Sequence, residues 1–351
     1  GGSITLGART VTEATADAEA SAEGKSTSAV GGSNSDEQAQ HQVDNTPATQ
    51  GKGISLPSSS TQVSNGNSQA SSQGGQGSDG VGLGAAVTVN WVTIDTIADI
   101  PADLAITAGG SVGVLAENGV DATAKATGTS LKTGSTNIGA AIALNYVDVT
   151  DRGSIGDRVV ITAGDTVTVT AITPANTRND FTAWGIAAAG GTGQSSVAGS
   201  IAVQVLLLDN IASIGQDVRI TTGGGVVLEA SNPMGLQSVA AAGALSTSGS
   251  GIGAAIVVNV IDVDTIARIA STSSHRVVID ALGAISLTAT SGIVALAVDP
   301  ILGFDMPDVS SVALAGGASV GQTAVGGSLI VDVVDITTRA LLGDGARINQ
   351  T

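Results

Sequence analysis

The chain has 351 residues and no cysteine, and 13 basic against 30 acidic residues give it a formal net charge of −17. The absence of cysteine excludes disulfides, thiolate nucleophiles and cysteine-based zinc sites, and the shortage of basic residues argues against nucleic acid as a partner. Aromatic residues make up only 1% of the chain, so a core built from Ala, Val, Ile and Leu must be thin.

The first strand pattern stands at the start of the chain, where Ile4, Leu6 and Ala8 alternate with other residues. Residues 31–80 then change to Ser, Gln, Gly and Asn without apolar periodicity, which predicts a low-complexity insertion loop. The interval from Ile4 to Val112 is nearly twice the interval from Val112 to Val167. This difference predicts one repeat enlarged by the insertion.

Two sets of positions recur along the rest of the chain. One polar residue stands in the middle of each apolar block, at intervals of roughly 55–60 residues with a longer last interval: Asn90, Asn145, Gln204, Asn259 and Asp332. About twenty residues later comes a pair of aliphatic residues at alternate positions: Val112 and Val114, Val167 and Val169, Val226 and Leu228, Ile285 and Leu287. Period-two alternation indicates half-buried strands, and repeats of this kind indicate a stacked architecture.

We therefore predict an all-β fold, a repetitive β-solenoid (β-helix-like) with repeats of about 55–60 residues and long loop insertions. One elongated domain would cover residues 1–351, with repeats at 82–134, 136–192, 193–248 and 249–321 and a truncated repeat at 322–351. Each repeat contains five strand-like segments, which fits either two coils or one wide coil with a hairpin. A second insertion, VDPILGFDMPDVSS from Val298, is predicted to cover the edge of the core, with a recognition loop as the alternative.

The recurring polar residue is predicted to be structural. The apolar residues Val87, Val89 and Trp91 stand at odd-numbered positions, whereas Val92 and Ile94 stand at even-numbered ones. This change of face along a strand predicts a bend or bulge at Asn90. Stacked side-chain amides can bond along a solenoid and satisfy backbone groups at such a point. The predicted ladder comprises Asn90, Asn145, Gln204, Asn259 and Asp332.

Carboxylates follow the predicted ladder at fixed offsets. Three lie five residues beyond it and three lie three residues beyond it: Asp95, Asp209 and Asp264, then Asp148, Asp262 and Asp335. Asp79 stands in GGQGSDGVG, which matches one copy of a calcium-binding nonapeptide. Oxygen ligands of this kind bind Ca²⁺, and solvated edge carboxylates that discourage aggregation explain the pattern as well.

Catalytic motifs are absent from the sequence. It contains no GxSxG, HExxH or phosphate-binding fingerprint, and His41 and His275 have no recognisable catalytic partner by spacing. Basic residues fall at unrelated positions of the repeats. We predict no enzymatic activity and no cofactor, with calcium as the one alternative; a β-helix polysaccharide-processing enzyme is the less favoured interpretation.

Three segments carry a resemblance to a known class of protein: ITAGGSVGVLA from Ile106, ITAGDTVTVTA from Ile161 and GIGAAIVVNV from Gly251. They resemble the repeats of giant bacterial surface exoproteins, the filamentous-haemagglutinin-like and leukotoxin-like adhesins. The resemblance implies an extracellular or cell-surface rod that contacts neighbouring repeats or copies of itself, cell-surface glycans or biofilm matrix. A filament self-assembled through end-to-end or edge strand pairing is the alternative. No apolar run in the sequence is long enough to span a bilayer.

Overall fold

The computed structural model describes residues 1–23, 81–131, 136–192, 195–296, 311–320 and 322–349. The secondary structure of these residues is strand and turn without helix, and every strand pairing is parallel. The fold is therefore all-β with stacked parallel sheets, of the β-helix or solenoid type, as the sequence predicts. The described residues include no membrane-spanning helix.

The first sheet carries the recurring polar residues and is called the amide sheet. Its five strands lie in the order β16-β12-β9-β5-β2. They are β2 (Val81–Ile100), β5 (Thr136–Ile155), β9 (Ser196–Ile214), β12 (Gly251–Ile269) and β16 (Ala324–Leu342).

The second sheet packs against the amide sheet and is called the facing sheet. Its strands are β1 (Ile4–Glu23), β4 (Val112–Leu131), β7 (Val167–Ile172), β8 (Asn179–Gly191), β11 (Val226–Ser246), β14 (Ile285–Ala295) and β15 (Ser311–Ser319). Both β7 and β8 pair with β4 and β11, and both β14 and β15 pair with β11. Each of these two pairs of strands therefore occupies one level of the sheet.

The third sheet is short and closes one end of the coil. Its strands are β3 (Ala105–Ala108), β6 (Val160–Ala163), β10 (Arg219–Thr222), β13 (Val278–Ala281) and β17 (Arg347–Ile348). The chain runs along the amide sheet, through a short strand and back along the facing sheet, then repeats this path. Each coil thus has two long sides and one short side.

The number of strands in a coil differs from the five segments identified in the sequence. Two of the five segments are not separate strands: TIADI (residues 96–100) is the end of β2, and VAAAGALS (residues 239–246) is the end of β11. No strand of the described residues forms an antiparallel hairpin. The coil is wide because strands such as β2 and β4 run unbroken for 20 residues, not because two coils or a hairpin are combined.

The strand pairing agrees with the spacing of the sequence. Ile4 pairs with Val112, and Val112 pairs with Val167, so the long first interval brings β1 and β4 into register. The predicted insertion at 31–80 lies outside the described residues, as do residues 298–310 of the second predicted insertion.

Three apolar clusters fill the space between the two long sheets. The first, around Val169 and Ile220, also packs on the short sheet; the second surrounds Phe181; the third consists almost entirely of alanine. Two layers of buried polar residues separate these clusters, one near Asn145 and one near Asp151. The core is therefore banded across the coil, and each band runs from one coil to the next.

The two long sheets approach each other closely at the alanine cluster. A Cβ placed on Gly84 would lie 1.8 Å from the carbonyl oxygen of Thr129, and one on Gly139 would lie 2.3 Å from that of Ala188. Backbone therefore meets backbone without room for a methyl group. This close approach explains why these positions hold glycine and why most neighbouring inward positions hold alanine.

The turns after the amide strands adopt the left-handed conformation. Asp103, Arg158 and Asp217 have φ values of 63°, 57° and 54° at equivalent places of successive coils. Arg158 donates to both carboxylate oxygens of Asp103, at 2.6 Å and 2.8 Å. This hydrogen bonding lowers the pKa of Asp103 and joins one turn to the next.

Candidate functional site

The recurring polar residues lie side by side on adjacent strands. Asn90 pairs with Asn145, Asn145 with Gln204, Gln204 with Asn259, and Asn259 with Asp332. Asn145, Gln204 and Asn259 are fully buried, whereas Asp332 on the terminal strand β16 is exposed. The structure thus brings all five together as one continuous amide layer.

The amide layer bonds the two long sheets to each other. Asn90 and Asn145 each donate from Nδ2 to a carbonyl oxygen of the facing sheet, those of Ala14 and Ala122, both at 2.9 Å. Gln204 donates from Nε2 to the carbonyl oxygen of Gln237 at 2.7 Å. Because these bonds cross the core, the layer fixes the separation and register of the sheets as well as the stacking of the coils.

The predicted bulge at Asn90 is wrong. Strand β2 alternates strictly along its length, with Thr88, Asn90 and Val92 directed inward and Val89 and Trp91 directed outward. The change of parity in the sequence arises because the apolar residues before Asn90 belong to the outer face. On β2 the inner positions before Asn90 hold the small residues Ala86 and Thr88, because the gap between the sheets is narrow there.

Replacing Gln204 with leucine is expected to lower the free energy of unfolding by about 2 kcal/mol, because buried partners lose their hydrogen bonds. Those partners include the Ser238 hydroxyl, 2.9 Å from Gln204 Nε2. Urea unfolding measures the change. Val205→Leu, one residue further on the outer face, is the control and should alter stability by less than about 0.5 kcal/mol. Equal effects of the two variants would contradict a stabilising role of the layer.

A second polar layer crosses the core six residues beyond the first. On the amide sheet it consists of Thr96, Asp151, Asn210, Thr265 and Thr338, which pair in register from strand to strand. Across the core, Thr96 Oγ1 donates to Thr10 Oγ1 at 2.8 Å, and Asn210 Nδ2 donates to the carbonyl oxygen of Ser231 at 3.3 Å. The layer therefore also links the two long sheets, but with fewer bonds.

Asp151 is the one carboxylate within this second layer in the described part of the chain. Its side chain is fully buried, and Oδ2 accepts from Asn210 Nδ2 at 3.2 Å. Oδ1 has no hydrogen-bond partner among the described residues, nor has either polar side-chain atom of Asn118. Burial, reinforced by the charge of Glu117, raises the pKa of Asp151 to about 8. The group is accordingly protonated at neutral pH.

The outer surface of the amide sheet is apolar over most of its width. On each of its five strands, five successive outward-facing residues carry no charge. Four of the five are always bulky apolar residues. The bulky sets are Leu83, Ile138, Val197, Ile252 and Val325; Val87, Ile142, Ile201, Ile256 and Leu329; Val89, Leu144, Val203, Val258 and Val331; Trp91, Tyr146, Val205, Val260 and Val333. We call these residues, with the small fifth set, the apolar face.

The small set lies between the first and second bulky sets of the apolar face. It consists of Ala85, Ala140, Gly199, Ala254 and Gly327. At the other side of the face, the rings of Trp91 and Tyr146 stack with centroids 4.1 Å apart. Val87 is 59% and Trp91 67% exposed on the edge strand β2. The face is therefore a broad, open surface with an aromatic pair near its acidic side.

The predicted calcium ligands border this face. Asp148, Asp262 and Asp335 occupy one row across the strands, and Asp95, Asp209 and Asp264 occupy the next, with Thr or Leu between some of them. Desolvation raises the pKa of Asp209, and the charges of Asp264, Asp262 and Asp148 raise it further. Asp79 lies outside the described residues. No group of three or more acidic, His or Cys side chains in the described ranges is arranged to hold a metal ion.

The structure gives His275 a partner that spacing did not reveal. Its Nδ1 lies 2.8 Å from Asp217 Oδ2, one coil away, in an exposed turn. His41 lies outside the described residues. A shallow apolar groove between Leu131 and Leu245 is lined by Gly, Ala and Leu, without a titratable side chain. Neither place shows a nucleophile, base and oxyanion-binding group together, which is the arrangement that hydrolysis by acyl transfer requires.

Comparison with known proteins adds no relative: no protein-family model, curated protein or solved structure matches the chain. The features that sequence reasoning missed are the second polar layer and the outward orientation of the apolar residues around Val89. The second polar layer left a signal in the sequence, because a polar residue stands six positions beyond every member of the predicted ladder.

Proposed function

We propose that the chain is a non-catalytic structural segment of a bacterial cell-surface or secreted adhesin or extracellular matrix protein, built from coils of about 55–60 residues. The observation that carries the proposal is the in-register stacking of successive coils on all three sheets. Coils joined in this way grow in one dimension and remain rigid, because each coil is bonded to the next along its whole length.

The dimensions of the coil favour the display of surfaces over the spanning of distance. A strand as long as β2 extends about 66 Å, whereas five stacked strands measure about 24 Å along the axis of the stack. Each coil thus adds only about 4.8 Å of length. A segment of this shape contributes broad faces to a rod, which suits multivalent contact with glycans, matrix or other copies of the protein.

The localisation can be tested directly on the cells that produce the protein. Antibodies against the purified chain are expected to label intact, unpermeabilised cells or to detect the protein in the culture medium, and protease added outside should remove the label. Labelling that requires lysis of the cells would contradict the proposal. Release of reducing or unsaturated sugars from uronate polymers would instead favour the enzymatic alternative.

A self-assembling filament is the second candidate, and the open edges of the sheets favour it. Among the described residues, β1, β2 and β3 at one end of the stack and β14, β15, β16 and β17 at the other are edge strands. Unpaired edges are templates for further strand pairing. Light scattering distinguishes the candidates, since an end-to-end filament grows without limit as concentration rises, whereas a segment with closed contacts reaches a fixed mass.

A further inference from the structure

We propose that the apolar face of the amide sheet is an interface at which a second copy of this chain docks face to face. The inference goes beyond the proposed function, since it holds whether the coils belong to an adhesin, a matrix protein or a filament. It rests on the composition, exposure, size and charged border of the face.

The composition of the apolar face differs sharply from that of the other long sheet. On every strand, four of its five positions are bulky apolar residues and the fifth is Ala or Gly. The outer surface of the facing sheet carries charged residues on its strands, including Glu117, Lys125 and Glu229. Large contiguous apolar patches on soluble proteins are typical of interaction sites. The facing sheet has only a smaller apolar cluster on its outer surface, around Val239 and Ala241, so the apolar face is the broader uncharged surface.

The area of the apolar face fits a stable protein interface. From Leu83 to Trp91 it extends about 26 Å along the strands, and five strands extend it about 24 Å across, a projection of about 600 Å². Its accessible surface exceeds this projection because the side chains stand out of the sheet. Specific interfaces bury about 800 Å² on each partner, so a single face-to-face contact is large enough.

The segments of this chain outside the described residues are poor candidates for covering the face. Residues 24–80 contain only five large aliphatic side chains: Val30, Val43, Ile54, Leu56 and Val63. These five cannot cover a face that has four bulky residues on each of its five strands. Residues 297–310 connect β14 to β15, and both of these strands belong to the facing sheet on the other side of the core.

The charges bordering the face favour a second copy over a lipid surface. The rows that contain Asp148 and Asp209 lie directly beside the aromatic pair, and the net charge of the chain is −17. Anionic membranes repel such a surface. A two-fold axis that lies in the contact plane, perpendicular to the strands, places the acidic rows of the two copies at opposite edges of the contact, where they stay solvated. The result is an apolar centre with a polar rim.

The test compares two valine-to-aspartate variants of the full chain. Val203 lies in the centre of the apolar face on β9, and Val227 lies on the outer surface of the facing sheet on β11. Sedimentation velocity from 1 to 100 µM is expected to show a dimer for the wild type and for Val227→Asp. Val203→Asp should weaken the dimer at least 100-fold, because the interface would bury an unpaired charge.

A fluorescence readout locates the contact. The chain has two tryptophans, Trp91 on the apolar face and Trp184 on the facing sheet, where the ammonium of Lys125 lies 5.2 Å from its ring centroid. In the Trp184→Phe background, emission from Trp91 should shift to shorter wavelength as the dimer forms. Circular dichroism checks that Val203→Asp is folded; Val258→Lys on the adjacent strand replaces it if it is not.

Four outcomes would overturn the inference. The first is a wild type that stays monomeric at 100 µM, and the second is equal dimerisation of Val203→Asp and Val227→Asp. The third is flotation of the wild type, but not Val203→Asp, with phosphatidylcholine vesicles, which would assign the face to lipid. Polymers that grow without limit in both variants would point to edge pairing and would likewise remove the face from the contact.

Discussion

Replacing Gly128 with alanine is expected to destabilise the protein by about 3 kcal/mol or more, as overpacking does when backbone has to move. A Cβ on Gly128 would lie 1.8 Å from the carbonyl oxygen of Ala140 and 3.0 Å from that of Gly84. Both contacts are with backbone of the amide sheet, so no side-chain rotation relieves them. Chemical denaturation of the purified variant measures the loss.

The same strand offers the matched control. Gly113 also lies on β4 but faces outward, and a Cβ there would meet only the side chain of Thr5 at 3.6 Å. Gly113→Ala should be neutral or stabilising by about 0.5 kcal/mol, because alanine restricts the unfolded chain. If both variants unfold at the same denaturant concentration as the wild type, the two long sheets are not in backbone contact at this place.

The second large effect concerns the dependence of stability on pH. Asp151 has a folded-state pKa of about 8, whereas an unperturbed aspartate has a pKa of about 3.9. Between these values the folded protein keeps a proton that the unfolded chain has lost. Stability should therefore fall as pH rises from about 4 to about 8, and the fall should level off above that range.

Asp151→Asn tests the assignment because the amide is uncharged at every pH. At pH 9 the variant is expected to be more stable than the wild type, by up to about 5 kcal/mol, while at pH 4 the two should be similar. Thermal unfolding from pH 4 to pH 9 gives both curves. A profile of Asp151→Asn parallel to that of the wild type would contradict a buried, protonated Asp151.

The stacking of the chain was predictable because its signal is periodic. Adjacent coils place equal positions beside each other, so the interval from Asn90 to Asn145 in the sequence is also the register of β2 and β5. Even the interval from Asn259 to Asp332, enlarged by an insertion, preserves this pairing. A parallel stack converts sequence spacing directly into contact.

The orientation of the strands was not predictable from hydrophobicity alone. The usual assumption is that Val and Ile face inward, but around Val87 and Val89 the inner positions belong to Ala86 and Thr88. The gap between the sheets is narrow there, so most inner positions hold small residues and most of the large residues lie on the outside. The apparent bulge at Asn90 arose because the bulky apolar residues up to Trp91 lie on the outer face of the strand, whereas Val92 and Ile94 lie on its inner face.

The second polar layer shows the limit of judging positions one at a time. Thr96, Asp151, Asn210 and Thr265 are not one residue type, so no motif marks them. What they share is an offset of six from the ladder and a buried position on the amide sheet. The unusual state of Asp151 depends on burial and on neighbours from other coils, which only the folded structure supplies.

The in-register stacking of coils is tested most directly by disulfide trapping, since the chain has no cysteine of its own. Asp209 and Asp264 are a whole repeat apart in the sequence but pair on adjacent strands, at a spacing of about 4.8 Å that a disulfide can bridge. Asp209 and Val227 are much closer in the sequence but lie on the outer surfaces of opposite sheets. Oxidation should therefore cross-link the Asp209→Cys, Asp264→Cys variant within one chain and leave the Asp209→Cys, Val227→Cys variant reduced. The reverse result on non-reducing gels and by mass spectrometry would contradict the stacked coil.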